Sequence, residues 1–204
     1  MRRTPTLAVS VLAFSLALGL AGCASEPAPS DSSSSDSSSP SESSAPSQPA
    51  DPAAAPATGA TVVGNGYSFT APEGWGEQDN SVAPGTDTVA VDLAPTGPFA
   101  SNVNVVLSPS GAFTADQVEA AAGAELETSG ATDVAVLDRL TVAGSESAHI
   151  TAVMDISDLT YRIHQYYVTD DDQTYIVTFS ADVAVSDDDA TAVAESVLAT
   201  WTWA

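Results

Sequence analysis

The chain has 204 residues and a formal net charge of −23, with 27 acidic residues against four basic ones, all of them arginine. So acidic a surface repels nucleic acid and anionic headgroups, and the chain is poor in cations with which to grip phosphates, so a nucleic-acid partner is excluded. One cysteine, Cys23, allows no disulfide within the chain.

The N-terminus reads as an export signal. Arg2 and Arg3 supply a positive start, and Leu7 to Leu20 form an apolar run broken only by Ser10, Ser15 and Gly19. That run is short of the roughly 20 residues that span a bilayer, and its flanks fit a cleaved signal. It closes on Leu20-Ala21-Gly22-Cys23. Small side chains directly before a cysteine are what a lipoprotein signal peptidase accepts, once the thiol carries a diacylglyceryl group. The expectation is therefore a signal peptide over 1–22, cleavage between Gly22 and Cys23, and lipidation of Cys23. The mature protein would sit on the outer, extracytoplasmic face of the bacterial plasma membrane, held there by its acyl chains. An acylated Cys23 also removes thiol catalysis and cysteine metal sites.

Residues 23–61 read as a tether. From Ala24 to about Ala60 the chain is almost wholly Ser, Pro, Ala, Asp and Glu, without an aromatic residue or an aliphatic one larger than alanine. It has too little apolar surface to offset the entropy of ordering. Residues 62–204 are one domain's length, enough for a real core.

Within that domain, Val62-Val63 and Tyr67-Ser68-Phe69 flank the turn signal Gly64-Asn65-Gly66, and Ala71-Pro72-Glu73-Gly74-Trp75 breaks the second strand. Strands follow at 89–93 and 103–107. Thr114 and Gln117 form a capping box for a helix over 115–128, stopped by Gly130. Alternation then predicts strands near 133–142, 146–156, 159–169 and 174–181, the last two joined through Asp170-Asp171-Asp172. Ser186 caps a helix over 187–201, with Asp187 to Asp189 at its positive end and an apolar stripe of Ala190, Val193, Ala194, Val197, Leu198 and Trp201. The fold class is α+β: one antiparallel sheet with helices packed against it.

The sequence contains no catalytic constellation, and no catalytic, metal or cofactor residue is assigned. His149 and His164 lie on separate strands without helical metal spacing, and read as polar strand residues facing solvent or pairing with a carboxylate. Gly144-Ser145-Glu146-Ser147-Ala148 lacks the central serine of a nucleophile elbow. The two aspartate runs lack the remaining ligands of a calcium loop and read as a hairpin turn and a helix cap. Arg162 reads as a salt-bridge partner more than a ligand clamp. Trp75 and Trp201 read as core or anchor residues, whereas Trp203 suits either packing or stacking on a sugar. Arg162, His164 and Tyr166 share one face of the aromatic strand 159–169, and form the candidate ligand face.

Several stretches resemble the actinobacterial LpqN/LpqT-type lipoproteins. They are Tyr67-Ser68-Phe69 leading to Pro72-Glu73-Gly74-Trp75, then 99–107 before a helix, then 161–167 with 175–179 before the last helix. The resemblance implies a fold like those of Mog1 and PsbP, an antiparallel sheet between helices in an α/β/α sandwich. It also implies a binding or assembly accessory, and it brings no catalytic residue or cofactor. The expected function is thus a non-catalytic envelope lipoprotein, partnered by a glycolipid or an envelope protein. The alternative is an envelope hydrolase with dispersed active-site residues, which would need a histidine, a carboxylate and a hydroxyl in one pocket.

Overall fold

The structure, a computed structural model, describes residues 48–204 except 80, 82 and 157. The signal peptide, Cys23 and most of the tether lie outside the described residues. A seven-stranded antiparallel sheet dominates, in the order β3-β4-β5-β9-β8-β7-β6. Its strands are β3 (Trp75–Glu77), β4 (Thr88–Asp92), β5 (Asn102–Leu107), β6 (Thr132–Val142), β7 (Ser145–Ile156), β8 (Leu159–Thr169) and β9 (Thr174–Asp182). The longest run without a crossover is the meander β6-β7-β8-β9, where period-two patterning is strongest and the turns are short.

Helix α1 (Ala115–Thr128) covers one face over β6 and β7, burying Val118, Ala122 and Leu126 against Ile150, Ala152 and Met154. Its capping box forms as the sequence predicts: Gln117 N–H donates to Thr114 Oγ1, and Thr114 N–H to Gln117 Oε1. Gly130, at φ +94°, takes the left-handed conformation that lets the chain leave the helix toward β6.

Helix α2 (Asp187–Leu198) covers the other face with a second, small sheet of order β1-β2-β10. Here the expectation of a single sheet is corrected. The hairpin of β1 (Thr61–Val63) and β2 (Tyr67–Thr70) forms around Gly64-Asn65-Gly66, but its third strand is β10 (Thr202–Trp203), not a strand of the large sheet. The physical reason is aromatic. Tyr67 stacks on Trp201 at 4.4 Å between ring centroids, and Phe69 stacks on the same indole at 6.0 Å.

Two further expectations change. The last helix stops at Leu198 rather than 201, because Thr200 and Trp201 N–H bond to the carbonyls three residues back and tighten the chain into β10. Trp201 stays buried beyond the helix, whereas Val193 is 38% exposed and leaves the apolar stripe. The tether also ends earlier than predicted. Residues 49–60 lie along the domain: Thr141 N–H donates to Ala50 O at 2.8 Å, Ala53 N–H to Glu195 Oε2 at 2.8 Å, and Ala57 N–H to Ser196 O at 2.9 Å. These are main-chain bonds, available to Ala and Pro-rich chain that has no side chain to bury, which is why composition did not reveal them.

Candidate functional site

The predicted ligand face on β8 is turned inward. His164 and Tyr166 are 1% and 0% exposed beneath α2, so they are not the outward residues the sequence suggested. Strand register explains the arrangement. His149 on β7 is directly opposite Tyr166, and their rings stack at 4.0 Å. His164 is the diagonal neighbour, and its Nδ1 lies 3.1 Å from His149 Nε2. The histidines that the sequence left fifteen residues apart therefore form one hydrogen-bonded pair.

Both are held neutral. Burial, followed by the proximity of His164, pushes His149 down to about 3, and burial lowers His164 against the opposing pull of Asp187. His164 Nε2 is 3.4 Å from Asp187 Oδ1 without hydrogen-bond geometry, and Arg162 Nε is 3.2 Å from the same oxygen. The expected salt bridge of Arg162 thus forms, and it clamps the first turn of α2 to the sheet.

The hydrolase alternative asked for a hydroxyl beside this pair. Ser101 leads into β5, two strands from β8 across β9, a separation of roughly 10 Å. Ser180 faces the other side of the sheet, in register with Ile163. By register neither serine is a direct neighbour of a histidine, although Ser101 and Ser180 line the same small cavity as His164. Among the described residues no group of three or more His, Cys, Asp or Glu side chains could hold a metal ion.

The α1 face carries something sequence reasoning missed. Asn102 pairs with Ser180 in one row across β5 and β9, and Asn104, Thr178 and Gln165 form the adjacent row across β5, β9 and β8. These five polar side chains make one island between Val89 and Val91 on one side and Ile150 and Ile163 on the other. Gln165 Nε2 donates to Thr178 Oγ1 at 3.0 Å, and Tyr167 OH to Gln165 Oε1 at 2.7 Å. Asn102 Oδ1 is buried without a hydrogen-bond partner. The signal was there in alternating Asn102, Asn104 and Gln165, but alternation reads as solvent exposure when the covering loops are unknown.

An open cleft lies at the end of the sheet beside the N-terminus of α1. It measures about 810 Å³, between the β6–β7 turn, the β8–β9 turn and β10. Phe113 and Trp203 supply aromatic wall, and Glu146, Asp170 and Asp171 supply carboxylates, with Thr114 and Ser145 between. Asp170 is fixed by donors of its own turn: Oδ1 accepts from Asp172 and Gln173 N–H at 2.9 and 2.7 Å. Trp203 is held by its Nε1–H to Ala143 O at 3.3 Å, and its ring is tilted against Tyr175. Arg139, nearest in sequence among the cations, is already committed to Glu119, Asp116 and Glu146. The cleft therefore offers aromatic surface and acceptors, without a cationic side chain in its lining. That chemistry takes hydroxyl donors with an apolar face.

With this geometry established, solved structures place the fold. LpqN of Mycobacterium tuberculosis, described as involved in cell envelope biogenesis, is 17% identical over 71% of this chain and 89% of its own, with a TM-score of 0.50. The two share a fold. A cyanobacterial PsbP from Synechocystis is 17% identical over 68% of this chain and 87% of its own, at a TM-score of 0.49. A Bacteroides thetaiotaomicron protein is 13% identical at 0.45, and the chain spans 45% of that protein's length. No family model and no curated protein matches the sequence. The α+β sandwich expected from the resemblance, an antiparallel sheet between helices, is therefore present, and the likeness is one of architecture.

Proposed function

We propose that this protein is a non-catalytic cell-envelope lipoprotein, anchored through Cys23, that holds the sugar headgroup of a glycolipid in the cleft between Phe113 and Trp203. It belongs on this reading with the LpqN/LpqT-type lipoproteins, on the extracytoplasmic side of the membrane. The observation that carries the proposal is the cleft itself: about 810 Å³, two aromatic side chains and the carboxylates of Glu146, Asp170 and Asp171, with Glu146 paired to Arg139. Carboxylates accept hydrogen bonds from sugar hydroxyls, while an aromatic ring covers the apolar face of the pyranose. Glycolipids suit an anchored protein, since a tether keeps the domain within reach of the membrane and raises effective concentration there. Among the described residues no helix is long and apolar enough to cross a membrane.

The test uses octyl glucoside below its micelle concentration as a headgroup probe, with tryptophan fluorescence as the readout. Saturable binding should weaken at least about tenfold in Trp203→Ala while the folded state persists. Equal binding by the variant would discard the cleft. Release of octanol from the probe, abolished by His149→Phe, would establish the hydrolase instead. For the anchor, Cys23→Ser should give uncleaved precursor without lipid, and a normally processed variant would end that part of the proposal.

A further inference from the structure

At the opposite end of the sheet the first half of α2 leaves an apolar cavity of about 50 Å³ above β9. Its apolar walls are Trp75, Phe179, Ala181, Val185, Ala190 and Val193. His164 is the one titratable side chain in the lining, and its buried Nε2 makes no hydrogen bond. Of the five large hydrophobic residues that stand exposed on the described surface, Val193 at 38% lines this cavity and Val183 at 42% lies in the turn between β9 and α2 beside it. Val183 is in the turn closed by Val185 N–H to Asp182 O at 2.9 Å. Exposed valines beside a small apolar cavity are the anatomy of an anchor pocket, where one inserted side chain loses all its water.

Charge decides what would bring that side chain. Glu77, Asp92, Asp182 and the run Asp187 to Asp189 surround this end, and Arg162, the cation there, is already bound to Asp187. Anionic headgroups are repelled by such a rim, and the cavity is too small for a lipid chain to enter far. Basic residues are attracted, and they steer a segment toward the pocket before the apolar contact forms.

We propose that this end of the sheet docks a partner-protein segment that inserts one aliphatic side chain between Trp75, Ala190 and Val193, with basic residues on either side of it. The site is independent of the Trp203 cleft, which opens at the other end of the strands. Ala190 sets the depth of the pocket, and Val193 forms its lip.

The experiment titrates a methyl-labelled full chain with two probe peptides, acetyl-Lys-Arg-Leu-Arg-Lys-amide and the same peptide with alanine in place of leucine. The leucine peptide should give saturable shifts of the Val185 and Val193 methyl resonances and bind at least about fivefold more tightly than the alanine peptide. Ala190→Leu, which fills the cavity, should weaken the leucine peptide about tenfold. Val193→Ala, at an exposed position where folding is safe, should weaken it about threefold, and Trp203→Ala should leave it unchanged. Equal affinity of the two peptides, or no saturable shift at the valines, overturns the proposal. So does a response of the same resonances to phosphatidylcholine vesicles in place of the leucine peptide, because the site would then take lipid.

Discussion

The two faces of the central sheet are built from similar strands and closed in different ways. On the α2 face, Tyr67, Phe69, Trp201 and Tyr175 interlock as a continuous aromatic layer, and Arg162 and His164 converge on Asp187 at the start of the helix. Residues 49–60 then lie along the outer side of that helix. On the α1 face the helix lies chiefly over β6 and β7, and the sheet also carries the polar island of Asn102, Asn104, Thr178, Ser180 and Gln165. Apolar area and ring packing stabilise the first face strongly. The second spends part of its buried surface on amides whose hydrogen bonds net only about 1 kcal/mol each, and one acceptor there has no partner. Stability is therefore concentrated under α2, and substitutions on the two faces should separate accordingly.

The largest effect belongs to Leu198→Asp. Leu198 is 1% exposed in the core beneath α2, and an unpaired carboxylate there exceeds what a domain stable by roughly 5–15 kcal/mol tolerates. Circular dichroism should show an unfolded chain at 25 °C, and an unchanged melting temperature would mean that α2 does not dock. Trp201→Ala removes the centre of the aromatic layer and should cost about 3–5 kcal/mol by denaturant melting. A loss below about 1 kcal/mol would show that the layer is not where the stability lies.

A pH titration sharpens the same contrast. An unfolded imidazole takes up a proton near 6.5, whereas the buried His149 resists until about 3. Between those values the unfolded chain binds the extra proton, so this contribution is whole above pH 6.5 and is lost progressively as pH falls toward 3. His149→Phe keeps a ring against Tyr166 and removes the titration. Its melting temperature should fall less between pH 7 and pH 4 than that of the parent. Parallel curves would show that His149 is not held neutral in the fold.

On the α1 face, Asn102→Leu should change stability by no more than about 1 kcal/mol and in the stabilising direction, since it removes a buried acceptor without a partner. A loss of several kcal/mol would show that this oxygen is satisfied in solution. The smallest effect is expected at the chain along α2. Ala53→Pro deletes the N–H that donates to Glu195 and should cost up to about 1 kcal/mol. Hydrogen exchange at Ala57 should then quicken, and unchanged protection would mean that each bond of this segment holds by itself.

Local patterning by itself determined most elements of this protein, but not the short strands β3 and β10. The α1 capping box, the Ser186 cap, the Gly64-Asn65-Gly66 turn and the β6-to-β9 meander follow from near-neighbour chemistry, where a few residues fix a turn or a period. The acidity and the want of cations were equally plain, because composition needs no geometry. Tertiary structure alone decided which strands shared a sheet, which side of β8 was covered, and what His149 and His164 would meet. Sequence alternation separates two faces of a strand but does not say which layer closes over each, so a polar row reads as solvent-facing whether a loop buries it or not. Main-chain bonds of residues 49–60 carry no side-chain signature at all. Only the arrangement of α2, β10 and the turns at the two ends of the sheet created the cleft at Trp203 and the apolar pocket at Val193, because a cavity is made by elements distant in sequence and belongs to none of them.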